Sequence, residues 1–231
     1  MLYSVDTLVI SDIHLGDGSG SDDFGYARYK RLQRQQDVLI DNIKKINAYH
    51  LILAGDIFAN WQHQLSKIVK LYKKLIDFFK SFAKLTVCKG NHDEPSIFTK
   101  KDTIAMDDIF DWVDHVILQL PDGKTAYVSH GHQMDVGVTT FWGKVGLWFM
   151  GWIEKAFPGL DNGFVDERKG NVYKYALDYG MDMTLEHDFV IFGHSHIHEQ
   201  VHGYFNCGTC QGGKFQGVTI NGSEVKLVSA A

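Results

Sequence analysis

The sequence has few cysteines, few prolines and no long uncharged apolar run, and each shortage removes a class of protein. Three cysteines in 231 residues, Cys88, Cys207 and Cys210, are too few to staple a small fold, and their odd number suits a reducing compartment. With three prolines and no low-complexity tract, no stretch reads as a linker or tail, so a single domain over residues 1–231 is expected. The most apolar stretch, residues 138–153, carries Lys144 and falls short of the ~20 residues a membrane-spanning helix needs. The first residues show neither a basic region nor a long apolar one, so the cytoplasm is the expected location. Positive charge is short as well. At a net −5 and a pI near 6.2, no global field draws in a polyanion, and no nucleic-acid partner is expected.

What is present is an alternation of short apolar runs with amphipathic helical patterns, which argues for βαβ units and an α/β fold. Strands are expected at 5–10, 51–54, 85–88 and 189–192. Helical spacing of Leu32, Leu39, Ile43 and Ile46 predicts a first crossover helix within residues 26–48, and Ile68, Leu71, Leu75 and Phe79 a second over 65–82. Residues 115–120 and 125–129 flank Pro121-Asp-Gly-Lys124, a hairpin by its turn chemistry. Alternating segments near 201–206, 214–220 and 225–229 predict a closing antiparallel β region.

Five apolar runs are each followed at once by residues that ligate metals or move protons: Asp12-Ile-His14, Gly55-Asp56, Gly90-Asn-His-Asp93, His130-Gly-His132 and Gly193-His-Ser-His196. One such pair alone is ordinarily a capping or hydrogen-bonding pair. In an open α/β sheet, however, the carboxyl ends of the strands converge on one crevice, so the five clusters predict one site. Imidazole, carboxylate and amide oxygen without thiolate suit manganese, iron or zinc, and there are enough ligands for two ions. Two ions side by side can clamp the attacking and leaving oxygens of a phosphoryl displacement. The neighbouring glycines, Gly55, Gly90, Gly131 and Gly193, read as sharp turns or close backbone approaches.

This series of motifs strongly resembles the calcineurin-like metallophosphoesterases over residues 5–210. The resemblance implies two stacked mixed β-sheets flanked by helices, with a helical insertion around 138–187. It also implies two divalent ions, manganese first, with iron, zinc or magnesium as alternatives. Carried over by residue, Asp12, His14 and His196 hold one ion, Asn91, His130 and His194 the other, and Asp56 bridges both. His92 then stabilises the transition state or protonates the leaving oxygen, and Asp93 orients His92 by accepting its other ring proton. His132 is expected beside the ligands rather than among them.

Within the family, Gly55-Asp-Ile-Phe58 followed by Trp61 resembles the UDP-2,3-diacylglucosamine hydrolases, from which the chain departs at His92 and Ala59, usually an arginine and an acidic residue there. The expected reaction is hydrolysis of a phosphodiester, pyrophosphate or phosphomonoester bond in a phosphorylated small molecule or a lipid-linked nucleotide, with a nuclease or small-molecule phosphodiesterase of the family, or a catalytically silent scaffold, as the alternative. Residues 138–157, with Phe141, Trp142, Trp148, Phe149 and Trp152, read as an aromatic helix that forms a lid or acyl-chain groove, touches a membrane surface, packs as a cap or makes an oligomer contact. Tyr175, Ala176, Tyr179 and Met183 predict a second helix packed on the core. Cys207-Gly-Thr-Cys210 is a lone CxxC, which alone could be a redox pair or half a zinc site, while the resemblance aligns Asn206 to Thr209 with a family segment that turns beneath the last histidine motif.

Overall fold

A computed structural model of the chain describes residues 5–19, 22, 24, 30–95, 102–135 and 162–230. The aromatic segment at 138–157 lies outside the described residues. The strands are β1 (Val5–Ile10), β2 (Ala48–Ala54), β3 (Lys84–Cys88), β4 (Trp112–Val113), β5 (His115–Gln119), β6 (Thr125–Ser129), β7 (Phe189–Phe192), β8 (His198–Val201), β9 (Tyr204–Cys207), β10 (Phe215–Asn221) and β11 (Glu224–Ala230). The α-helices are α1 (Lys30–Ile46), α2 (Leu65–Leu71), α3 (Lys73–Lys80) and α4 (Asn162–Met183).

Two mixed sheets result, one ordered β11-β10-β1-β2-β3-β4 and the other β5-β6-β7-β9-β8. Side chains alternate along each strand and so sort themselves into layers. Leu8, Ile10, Leu51 and Leu53 meet α1, α2 and α3, whereas Val9, Ile52, Ala54 and Cys88 meet Val128, Ile191, Phe205 and Cys207 of the second sheet. On the far side of that sheet Val190, Phe192 and Tyr204 pack under α4. Burial on both faces explains why these strands are unbroken apolar runs instead of alternating patterns. The order helix, sheet, sheet, helix is the expected architecture.

The hairpin at Pro121–Lys124 forms as expected, closed by Gly123 N donating to Leu120 O at 3.0 Å. The helix expected over 65–82 is two helices that meet at Tyr72, whose φ of −103° and ψ of 21° leave the helical region. Tyr72 is fully buried, and its hydroxyl donates to Asp22 Oδ2 at 2.7 Å. The closing strands are not wholly antiparallel. β9 runs parallel to β7, while β10 is antiparallel to both β1 and β11. On α4, Ala176 is buried and Tyr179 stacks on Phe192 at 5.6 Å, but Tyr175 faces outward. Among the described residues no helix is long and apolar enough to cross a membrane.

Candidate metal centre

β1, β2 and β3 run parallel, as do β6 and β7, so their carboxyl ends bring the five expected clusters to one edge of the paired sheets. The loops there are sewn together by backbone bonds. Asp12 N donates to Gly55 O at 3.1 Å, Ile13 N and His14 N to Asp56 O at 2.9 and 3.0 Å, and Gly193 N to His130 O at 3.1 Å. Three groups of potential ligands converge there: Asp12, His14 and His196; His14, Asp56 and His92; Asp56, His130 and His194.

The distances fit ions. Bonds of about 2.1 Å at right angles set neighbouring donor atoms about 3 Å apart. His196 Nε2 lies 3.1 Å from Asp12 Oδ1 and 3.2 Å from His14 Nε2. In the other half, His130 Nε2 lies 3.1 Å from Asp56 Oδ2 and 3.2 Å from Asn91 Oδ1. His130 Nδ1 is 3.0 Å from Ala54 O, to which it donates, so a neutral ring keeps its Nε2 lone pair aimed at the cluster. His194 is oriented by a residue the motifs did not contain. Its Nε2 donates to Asp135 Oδ2 at 3.2 Å, which in a neutral ring leaves Nδ1 as the ligating nitrogen. His132 stands aside, its ring 5.3 Å from that of His130 and 6.3 Å from that of His194.

Backbone strain gathers at the same place. Asp12 (φ 52°), His14 (53°), Asp56 (53°), His194 (67°) and His196 (59°) all occupy the left-handed region, which non-glycine residues visit at a cost of roughly 1–3 kcal/mol. Each follows the end of a strand closely and must turn back to aim its side chain at the crevice. The glycines divide into two roles. Gly55 has a φ of +86°, whereas Gly90 is needed for contact, since a Cβ there would stand 2.1 Å from Asp56 Oδ1.

Asp12 and Asp56 are fully buried. Burial alone would raise both, but His196 beside Asp12 and His130 beside Asp56 hold them far below the usual carboxylate range. Ser11 Oγ donates to Asp12 Oδ2 at 2.5 Å, and His194 N is shared between Oδ2 (3.0 Å) and Oδ1 (3.2 Å), while Oδ1 also faces His196 Nε2 at 3.1 Å. Burial pushes His92 down to about 3, which favours the neutral ring.

Asp93 does not orient His92 as expected. Its Oδ1 accepts from Ile57 N (2.9 Å) and Phe58 N (2.8 Å), and its Oδ2 from Asp56 N (2.9 Å) and Gly90 N (2.8 Å). Burial and the charge of Asp56 push Asp93 up to about 7 against the pull of those amides. Two carboxylates this close and this buried call for a neighbouring positive charge, which is a further fit to a cation site.

The expected turn beneath the last histidine motif is present: Asn206 Nδ2 donates to Gly193 O at 2.6 Å and Thr209 Oγ1 to Asp12 O at 2.9 Å. Cys207 and Cys210 are buried free thiols, and burial pushes Cys210 up to about 12.

A pH dependence follows from His130. Burial opposes a charge on this ring, but Asp56 overrides it and pushes the imidazolium up to about 9. In the metal-free protein this raised value contributes stability that is fully present below the unfolded value of about 6.5 and is lost as pH rises through about 9. An ion that takes Nε2 must displace that proton. Manganese affinity measured by calorimetry is therefore expected to rise about tenfold per pH unit between 7 and 9 and to level off above, with one proton released per ion in that half of the site. A flat profile would remove His130 from the ligand set.

A comparison with curated proteins returned no match. Among 75 matching chains of solved structures is the cold-active protein-tyrosine phosphatase of the psychrophile Shewanella sp.. It is 11% identical, with a TM-score of 0.42 over 99% of this chain and 82% of that one. A family model described as calcineurin-like phosphoesterase matches residues 6–198, a span that holds every candidate ligand, and the chain belongs to that family.

Proposed function

We propose that the protein is a dinuclear metal-dependent hydrolase that cleaves the pyrophosphate of a lipid-linked nucleotide of the UDP-2,3-diacylglucosamine kind. The observation that carries the hydrolase reading is the convergence of three ligand groups joined through His14 and Asp56 at one edge of the sheets. In this reading Asp12, His14 and His196 hold one ion, Asn91, His130 and His194 the other, and Asp56 serves both. Two divalent ions bound there supply Lewis acidity and a water activated near neutral pH. The chain's own part is to fix those ligands on strained, hydrogen-bonded loops and to offer the neutral N–H of His92 to a phosphoryl or leaving oxygen.

The lipid-nucleotide substrate is supported by the Gly55-Asp-Ile-Phe58 and Trp61 segment and by the aromatic residues of 138–157, which would receive acyl chains or lie against a membrane surface. A second reading, a phosphodiesterase of small molecules, is favoured by His92, the form of that position in the wider family. The test is UMP release from UDP-2,3-diacylglucosamine with Mn²⁺, beside a chelator control and a generic aryl phosphodiester. Chelator-sensitive UMP release about 10²-fold faster than the generic hydrolysis is expected, since contacts to remote parts of a true substrate lower its barrier. Turnover of the diester alone would discard the lipid substrate and keep the metal-dependent chemistry.

A further inference from the structure

His92 faces the ligand cluster without the hydrogen bond that usually orients such an imidazole. Its Nδ1 is buried and meets no hydrogen-bond partner among the described residues. The carboxylate next to it in sequence, Asp93, is occupied by four backbone amides. What touches the ring is other rings. His14 meets it edge-on with centroids 4.7 Å apart and planes at 81°, and Trp61 meets it at 4.8 Å and 88°. The segment carrying Trp61 is fastened to the same loop. Asn60 N and Trp61 N donate to His92 O at 3.0 and 3.4 Å, and Asn60 Nδ2 donates to Asp93 O at 2.9 Å.

His14 belongs to the ligand set, and Trp61 offers no group that ligates. We propose that Trp61 is a positioning residue, whose half-buried indole confines the His92 imidazole to the rotamer that keeps Nε2 toward the site, 3.9 Å from Asp56 Oδ2. The inference rests on the role given to His92 above. An indole suits the task because it is large, rigid and free to move about only two side-chain torsions. With it removed, only the edge of the His14 ring among the described residues still bounds the imidazole, with no hydrogen bond at Nδ1, and the ring then samples other rotamers.

The test compares Trp61→Leu and Trp61→Phe on a generic aryl phosphodiester with Mn²⁺, in the wild-type and His92→Ala backgrounds. Trp61→Leu is expected to lower kcat by about 10- to 100-fold with KM unchanged within about twofold, and Trp61→Phe to restore most of the loss. In the His92→Ala background Trp61→Leu is expected to cost nothing further, because a residue acting through His92 has nothing left to act on. A second readout needs no turnover. The ¹⁵N and ¹³C imidazole shifts of His92 in metal-free protein are expected to report a single rotamer in wild type and Trp61→Phe, and values averaged by rotamer exchange in Trp61→Leu. Equal losses in both backgrounds, a rise in KM alone, or unchanged imidazole shifts would each overturn the proposal. Absence of any phosphoester turnover by the wild type would instead sink the hydrolase reading, and the imidazole shifts would still decide whether Trp61 holds the ring.

Discussion

Asp56→Asn is expected to lower phosphoester turnover by about 10³-fold or more and to cost the protein both of its ions. Asp56 is common to two of the three converging ligand groups, Oδ2 lying 3.1 Å from His130 Nε2 and 3.7 Å from His14 Nε2. An amide in its place halves the acceptor capacity and removes the negative charge that makes two adjacent cations tolerable. Asp12→Asn provides the contrast, because Asp12 belongs only to the group with His14 and His196. Elemental analysis after gel filtration should give close to no metal for the Asp56 variant and about one ion per chain for the Asp12 variant. The rise in melting temperature on adding Mn²⁺ should vanish in the first and shrink in the second, since a ligand stabilises only what it binds. Two ions retained by Asp56→Asn with normal turnover would refute its placement between them.

The strand framework was legible in the sequence because burial on both faces leaves an unbroken apolar run that polar clusters terminate sharply. Val5–Ile10 and Phe189–Phe192 are found at their expected limits for this reason. The strand β4 (Trp112–Val113) was not, being two residues long and without a repeat to read. The break at Tyr72 was hidden as well, since the helical spacing of apolar residues runs straight through it. Tyr72 is tied there to a partner fifty residues earlier, Asp22, whose Oδ1 and Oδ2 also accept from Gly16 N (3.1 Å) and Gly18 N (2.7 Å). At the site, residue types and their place after strands were enough to bring the candidate ligands together. The residues that support them were a different matter. Ser11 and Asp135 carry no motif of their own, and only the fold shows that one bonds Asp12 and the other His194. The left-handed backbone of Asp12, His14, Asp56, His194 and His196 contradicts the usual preference for glycine, so propensity argues against it and packing imposes it.

Asp93 is the residue whose role the sequence most misstates, and its replacement carries the second large effect. Four buried backbone N–H groups, of Asp56, Ile57, Phe58 and Gly90, end on its two oxygens. Each buried donor left without an acceptor costs about 1–3 kcal/mol, so removing the carboxylate removes a large share of the roughly 5–15 kcal/mol that holds a domain folded. Asp93→Ala is therefore expected to yield little folded protein. Asp93→Asn keeps one oxygen and turns an NH₂ toward two of the amides, so it should fold with a melting temperature well below wild type, measured in chelator so that metal loss does not enter. His92→Ala should leave that temperature nearly unchanged while lowering turnover. The pair of measurements separates two kinds of carboxylate. If Asp93 served to orient His92, Asp93→Asn would behave as His92→Ala does, with stability kept and turnover lost. If it clamps the Asp56 and Gly90 loops, stability falls first, and turnover at low temperature, where the variant is still folded, tracks the displacement of Asp56 instead of the state of His92.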